Sequence, residues 1–191
     1  MKQFNSMNNL KSVQLARYNN SWYRPAPPWK VWLWTLLNVC FFNNGLALFN
    51  GLKCWMLRRF GAQLGNGVVI KRWVSIKYPW FLEIGNNVWI GEKVWIDNLT
   101  NVHIGNNVCI SQGALLLTGN HNYSKETFDL MVGAITLEDG VWLGANSTVC
   151  AGVTCATHAM LTVGSVATKN LDSYSIYQGN PAVKTKRRNI M

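Results

Sequence analysis

The stretch that decides the fold is Leu137-Glu-Asp-Gly-Val-Trp-Leu143-Gly-Ala-Asn-Ser-Thr-Val149-Cys-Ala-Gly-Val-Thr-Cys155-Ala-Thr-His-Ala-Met-Leu161-Thr-Val-Gly-Ser-Val-Ala167. An apolar residue recurs every six positions: Leu137, Leu143, Val149, Cys155, Leu161 and Ala167. Four residues after each of the first five stands a small or β-branched residue: Val141, Ser147, Val153, Ala159 and Ser165. A six-residue beat matches neither the 3.6-residue period of a helix nor the two-residue period of a long strand. It matches a prism, in which a short strand, a corner and another short strand repeat, with three sides to a coil of roughly 18 residues.

The same beat extends upstream. Ile84, Ile90, Ile96 and Val102 keep it, with Val88 and Val94 as companions. It slips by two residues across Asp97–Val102 and resumes at Ile104, Ile110 and Leu116, with Val108 and Ala114. Leu64, Ile70 and Ile76, with Val68 and Val74, supply a first turn. Gly85-Asn-Asn87 and Gly105-Asn-Asn107 suit the corners, because Gly and Asn tolerate turn conformations that Leu and Val do not. The expected fold class is therefore all-β, a hexapeptide-repeat parallel β-helix. Two features break the repeat: the slip, and residues 117–134, whose polar and aromatic content marks a loop thrown out of the prism. Loops on a rigid scaffold are where function concentrates.

Residues 1–62 lack the beat and read as a partly helical extension. Asn19–Pro28 is extended and broken by proline, Trp29–Phe42 is a helix candidate, and Leu46–Phe60 is a second, stopped by Gly61. Residues 63–170 form the β-helix. Residues 171–191 form a basic tail with a turn at Gly179-Asn-Pro181 and the run Lys184-Thr-Lys-Arg-Arg188.

The chain has 191 residues, 18 basic and 8 acidic, for a net charge of +10. The charges are segregated. Residues 1–80 carry eleven Lys and Arg and no acid, residues 81–168 carry seven acids and two bases, and residues 169–191 carry five bases and Asp172. With 49% of residues hydrophobic, ten of them Trp, the chain is too apolar for intrinsic disorder. The longest apolar run, Trp29–Phe42, is interrupted by Lys30, Thr35 and Asn38 and falls short of the ~20 residues of a spanning helix. The first residues are polar and lack the apolar core of a secretion signal, so a cytoplasmic location is expected. The five cysteines form no CxxC pair and read as reduced, buried small hydrophobes.

His121 opens the large loop. Imidazole, with an ordinary pKa near ~6.5, accepts a proton at neutral pH, which is what a hydroxyl nucleophile needs. His103 alternates with Val102 and Ile104 and reads as a surface strand residue, and His158 sits at a corner. A three-histidine zinc site is not expected, because no second His lies near His121.

The blocks Ile84-Gly-Asn-Asn-Val-Trp-Ile-Gly91, Leu116-Leu-Thr-Gly-Asn-His121, Val141-Trp-Leu-Gly-Ala145, Val163-Gly-Ser-Val-Ala-Thr-Lys169 and Gly179-Asn-Pro181 resemble those of the hexapeptide-repeat acetyltransferases. The upstream Leu57-Arg-Arg-Phe-Gly-Ala62, Tyr78-Pro-Trp80 and Trp95-Ile-Asp-Asn-Leu99 resemble one branch, the colanic acid and related exopolysaccharide O-acetyltransferases. The resemblance implies a left-handed β-helix, a homotrimer with sites between subunits, acetyl-CoA as co-substrate and no metal. It implies direct acetyl transfer to a sugar hydroxyl with His121 as general base. The backbone N–H of Ala145, after Gly144, is implied as oxyanion donor. Gly144, Ala145, Val163, Thr168 and Lys169 are implied around the CoA, with Lys184 or Lys186 near its phosphates.

For the acceptor, Asp97 and Asn98 at the slip are candidate hydrogen-bonding groups. Asn120, Tyr123 and Phe128 are candidates in the loop, with Trp95 as a further stacking surface. Related galactoside and maltose enzymes hold the acceptor with an Asn one hexad before the slip. That position here is Gly91, which weighs against a small free sugar. An acetyltransferase for a small acceptor, and a non-catalytic β-helix scaffold, are the rival readings. The basic, Trp-rich head has three readings. It packs on the prism end, it touches an anionic membrane at the inner face and so meets a lipid-linked saccharide, or it binds nucleic acid, for which no motif is present.

Overall fold

The computed structural model describes residues 11–45 and 49–191. The hexad positions form the inside of a three-faced parallel prism of about six turns. The first face stacks Gln63–Leu64, Leu82–Ile84, Val102–Ile104, Ile135–Leu137 and Thr154–Cys155. The second stacks Val69–Ile70, Trp89–Ile90, Cys109–Ile110, Trp142–Leu143, Met160–Leu161 and Ser175–Gly179. The third stacks Ser75–Ile76, Trp95–Asp97, Leu115–Leu117, Thr148–Val149 and Val166–Ala167. Leu64, Ile84, Ile104, Leu137 and Cys155 lie in register one above another, as do their counterparts on the other faces. From Ile84 to Ala167 the inward hexad residues are at most 2% exposed. Each large aliphatic among them contributes roughly 1.5–3 kcal/mol by leaving water.

The coils are not uniform. Early ones repeat after 20 residues, as in the pairs Tyr78–Asn98 and Asn86–Asn106, and later ones after 18, as in Asp139–Thr157. The slip expected at Asp97–Val102 is therefore the second of two. The first lies at Lys77–Phe81, where Pro79–Phe81 forms a 3-10 turn. Both fall at the corner between the third and first faces, and residues 117–134 leave the prism at that same corner.

The first corner explains the Gly-Asn-Asn blocks. The side-chain oxygens of Asn86, Asn106 and Asp139 accept the N–H of Asn66, Asn86 and Asn106, one coil apart each time. These bonds from Asn106, backbone first, hold the Asp139 carboxyl below its ordinary pKa. A Cβ on Gly85 would lie within 2.9 Å of Gly105 and Asn106, so only glycine fits under the next coil.

Outward strand residues of each coil donate to carbonyls of the next, as Val69 to Val88 and Lys71 to Ile90. The inward residues of the first coil are left with open N–H and carbonyl groups, which would make a sticky edge. Two helices close it: α1, Pro28–Phe41, and α2, Asn50–Arg59. The helix expected from Leu46 begins at Asn50, and Leu46 to Leu48 lie outside the described residues. From α1, Trp34 Nε1 donates to the Ile76 carbonyl at 2.8 Å, and Asn38 Oδ1 accepts the Ile76 N–H. From α2, Asn50 brackets Val68 O and Ile70 N, and the buried Lys53 ammonium donates to Ile70 and Lys71 carbonyls at 2.9 and 2.8 Å. Burial pushes the Lys53 pKa down.

At the other end the tail is part of the prism. Leu171 bridges Cys155, Ser175–Gly179 pairs with Met160–Leu161, and Ala182–Arg187 turns back antiparallel to it. A division at residue 170 thus cuts through the last coil. All five cysteines are free. Cys54 and Cys155 are buried, and burial pushes the Cys155 thiol up to about 12, but Cys40 is exposed, contrary to expectation.

Lys53→Met removes the donor to two strand-end carbonyls and is expected to lower unfolding stability by about 1–3 kcal/mol. Chemical denaturation checks this; an unchanged midpoint would show that the end cap does not depend on the lysine.

Candidate active site

The third-to-first corner is built from stacked inserts. Asn98 is fully buried, and its amide accepts from Tyr78 N at 3.0 Å and donates to Tyr78 O at 2.6 Å. Lys77 pairs with Asp97 at 2.8 Å across the same two coils. Thr118 Oγ1 accepts from Leu99 N and donates to the Asp97 carbonyl, which ties the third insert to the second. The sequence assigns Asp97 and Asn98 to the acceptor. The structure gives Asn98 to the corner, with no exposed polar atom left, and leaves Asp97 7% exposed and ion-paired.

The loop is a hairpin. Gly119–His121 pairs antiparallel with Leu130–Val132, and His121 faces Leu130 in the last pair before the tip. The tip turns through bonds from Lys125 N to Asn122 O and from Phe128 N to Lys125 O. Phe128 adopts φ 49°, in the left-handed region. Its carbonyl lies 2.9 Å from His121 Nδ1, and its ring stacks on the imidazole with centroids 4.4 Å apart and planes 7° apart. Phe128, expected as a surface for the acceptor, therefore holds the histidine from one side. Asn120 accepts the His121 N–H, and Tyr123 is 80% exposed at the tip.

A second ring, not expected from the sequence, also meets the histidine. Tyr18 meets the His121 ring with centroids 5.6 Å apart. It belongs to a strap laid over the hairpin: Gln14 N donates to Glu126 O at 2.8 Å, and Glu126 pairs with Arg17 at 3.1 Å and Lys11 at 4.0 Å. The strap ends where the Tyr23 hydroxyl donates to the Leu99 carbonyl. The available signal was charge: the head has bases and no acid, and the hairpin offers Glu126.

The remaining candidates sort onto corners. Gly144, Ala145 and Val163 lie between the second and third faces, on the opposite edge of the third face from His121. A Cβ on Gly144 would come within 2.7 Å of Thr162 and Val163 backbone, so the two coils touch there. The N–H groups of Gly144 and Asn146 bond Leu161 and Gln112, whereas the described hydrogen bonds include none from Ala145 N. Gly91 lies on this same corner, packed against Ile110, Ser111 and Gln112 backbone. Thr168 and Lys169 are exposed on the corner that bears His121, two coils on. Lys184 pairs with Asp172 at 3.0 Å, and Arg188 donates to the Gly140 and His158 carbonyls, which leaves Lys186 and Arg187 exposed in the basic run. His103 pairs with Glu83 at 3.2 Å and His158 stacks on Tyr174, both away from the hairpin.

A colanic acid biosynthesis acetyltransferase of Escherichia coli, WcaF, is 32% identical over 159 residues, 83% of this chain and 87% of that protein. The chain belongs to the hexapeptide-repeat acetyltransferases. No single family model matches it. The left-handed β-helix of this acetyltransferase superposes on a hexapeptide-repeat acetyltransferase of Vibrio cholerae with TM-score 0.76 at 19% identity, over 84% of this chain and 92% of that one. That protein has also been solved with acetyl coenzyme A. A maltose O-acetyltransferase of Clostridium difficile gives TM-score 0.73 at 20% identity over 84% of this chain and 87% of that one.

Glu126→Ala in this acetyltransferase removes both ion pairs of the strap and leaves it on the Gln14 backbone bond and the Tyr23 anchor, so it is loosened over the hairpin. Trypsin is expected to cut after Arg17 several-fold faster in the variant, with little change in melting temperature. Equal cleavage of both proteins would mean that the strap is held elsewhere.

Proposed function

We propose that this acetyltransferase moves the acetyl group of acetyl-CoA to a sugar hydroxyl of an exopolysaccharide or of its lipid-linked repeat unit, with His121 as general base. The observation that carries this reading is the 2.9 Å contact between His121 Nδ1 and the Phe128 carbonyl. A carbonyl only accepts, so Nδ1 carries the proton and Nε2 presents its lone pair. Phe128 stacked on the ring and Tyr18 tilted against it limit its rotation.

Nε2 takes the hydroxyl proton as the acceptor oxygen bonds the thioester carbon. The carbonyl electron pair moves onto oxygen, where the Ala145 N–H donates to it. Collapse of the tetrahedral intermediate re-forms the carbonyl and breaks the C–S bond. The thiolate leaves with the proton carried by the imidazolium. His121 and Ala145 lie on opposite edges of the third face, so His121 of one subunit works with Ala145 of the next in a homotrimer. Apolar side chains support contact between copies: Trp89 and Trp142 project from the second face and Trp95 from the third, 62%, 39% and 49% exposed.

Gly144, Val163, Thr168 and Lys169 line the CoA, and Lys186 is the better phosphate partner, because Lys184 already faces Asp172. On the acceptor side Asn120 and Tyr123 are exposed at the hairpin. The saccharide class rests on the likeness to the colanic acid enzyme, supported by the absence of a side chain at Gly91.

His121→Ala is expected to lower kcat for thiol release by about 10²–10⁴ and leave CoA affinity by calorimetry unchanged. Equal turnover by variant and wild type would remove His121 from the mechanism.

A further inference from the structure

The outward side of α1 carries no charged residue, and its one polar group, the Thr35 hydroxyl, is bonded back to the Val31 carbonyl of its own helix. Trp29, Trp32, Leu36 and Val39 are 67%, 69%, 47% and 55% exposed, and Leu33 and Cys40 fall between them on the same helical face. Lys30 and Asn38 point inward: Lys30 lies over the Trp80 ring at 4.5 Å, and Asn38 bonds Ser75 and Ile76. Trp34 and Leu37 already fill the core side, so the outward apolar residues form a second stripe, where a surface helix usually has one, facing the core. On α2 the outward side continues the pattern with Leu52 and Trp55, 39% and 55% exposed, after Phe49 at 74%. Both helices bond the open edge of the first coil, so both lie across the same end of the prism. Exposed apolar residues gathered on one end in this way mark an interaction site.

The charge at its rim has one sign. Arg24 shares a groove with Trp32, the Arg59 guanidinium lies 5.5 Å from the Trp55 ring centre, and Arg58 is exposed beside it. No Asp or Glu occurs anywhere in residues 1–80. A second copy seated face to face would set arginines against arginines. No described helix is long and apolar enough to cross a bilayer.

We propose that this end of the prism docks on an anionic bilayer surface. α1 and α2 lie flat in the interface, with Trp29, Trp32 and Trp55 at headgroup depth and Arg24 and Arg59 facing lipid phosphates. Indole rings are at home at that depth, and in-plane helices with apolar faces and flanking bases bind there without spanning. The surface involves none of the residues assigned to acetyl transfer, so it stands or falls independently of that chemistry.

The test uses the full chain and sedimentation with vesicles of phosphatidylcholine, alone or with phosphatidylglycerol as the anionic lipid. Two double variants change only exposed positions: Trp32→Glu with Leu36→Glu, and Arg24→Gln with Arg59→Gln. Wild type is expected to partition at least about tenfold more strongly onto the anionic vesicles. The glutamate variant loses that binding. The glutamine variant weakens it by roughly fivefold per base, and added salt weakens the wild type likewise. Melting temperature and light-scattering mass stay at wild-type values in both. The proposal is overturned if wild type does not prefer anionic vesicles or if the glutamate variant binds as well as wild type. A smaller mass for the glutamate variant overturns it too, because the stripe would then be an interface between copies.

Discussion

Everything in this molecule answers to the stacking of one coil on the next at strand spacing, ~4.8 Å. Each inward aliphatic sits on its equivalent, and strand N–H and C=O groups bond the coils on either side. A coil cannot gain a residue inside a strand without shifting every later side chain to the wrong side. Extra residues are therefore confined to corners. The chain puts all of its large departures at one corner, where Lys77–Phe81, Asp97–Asn101 and residues 117–134 stack and bond one another. The histidine hairpin rests on two inserts that precede it.

The same ladder makes the first coil an edge, and the edge accounts for much of the head. Trp34, Asn38, Asn50 and Lys53 give their polar atoms to first-coil backbone. The charge segregation has a matching cause. Arg17, Arg72 and Lys77 from the basic head pair with Glu126, Glu92 and Asp97 from the acidic middle, and Arg58 donates to Leu64 and Gly65 carbonyls. Much of the positive charge that suggests a polyanion partner is thus internal pairing. What remains exposed gathers round the Trp stripe and along the tail.

Of the site, His121 was legible because it opens the one long interruption of a strict repeat. The lone pair on Nε2 was not, because it depends on where the Phe128 carbonyl points, seven residues on, through a turn with positive φ. Asp97 and Asn98 were legible as an irregularity, but their partners Lys77 and Tyr78 lie twenty residues back, so a corner clamp looked like free polar groups. Tyr18 and Arg17 carry no local pattern at all. They matter through contacts more than a hundred residues away, as in the 109-residue separation of Arg17 and Glu126.

The sequence by itself determined the prism, its inward residues and its loop, because the hexad beat is a local regularity read along the chain. It also marked the head as helical, basic and apolar. Only the tertiary structure decided that α1 keeps an apolar side outward besides the one it buries, that the tail is a last coil with a returning strand, and that His121 and Ala145 stand on opposite edges of one face. The physical reason is common to all three. Each depends on which groups face each other once coils are stacked and capped, and those pairings join residues whose spacing in the chain carries no period.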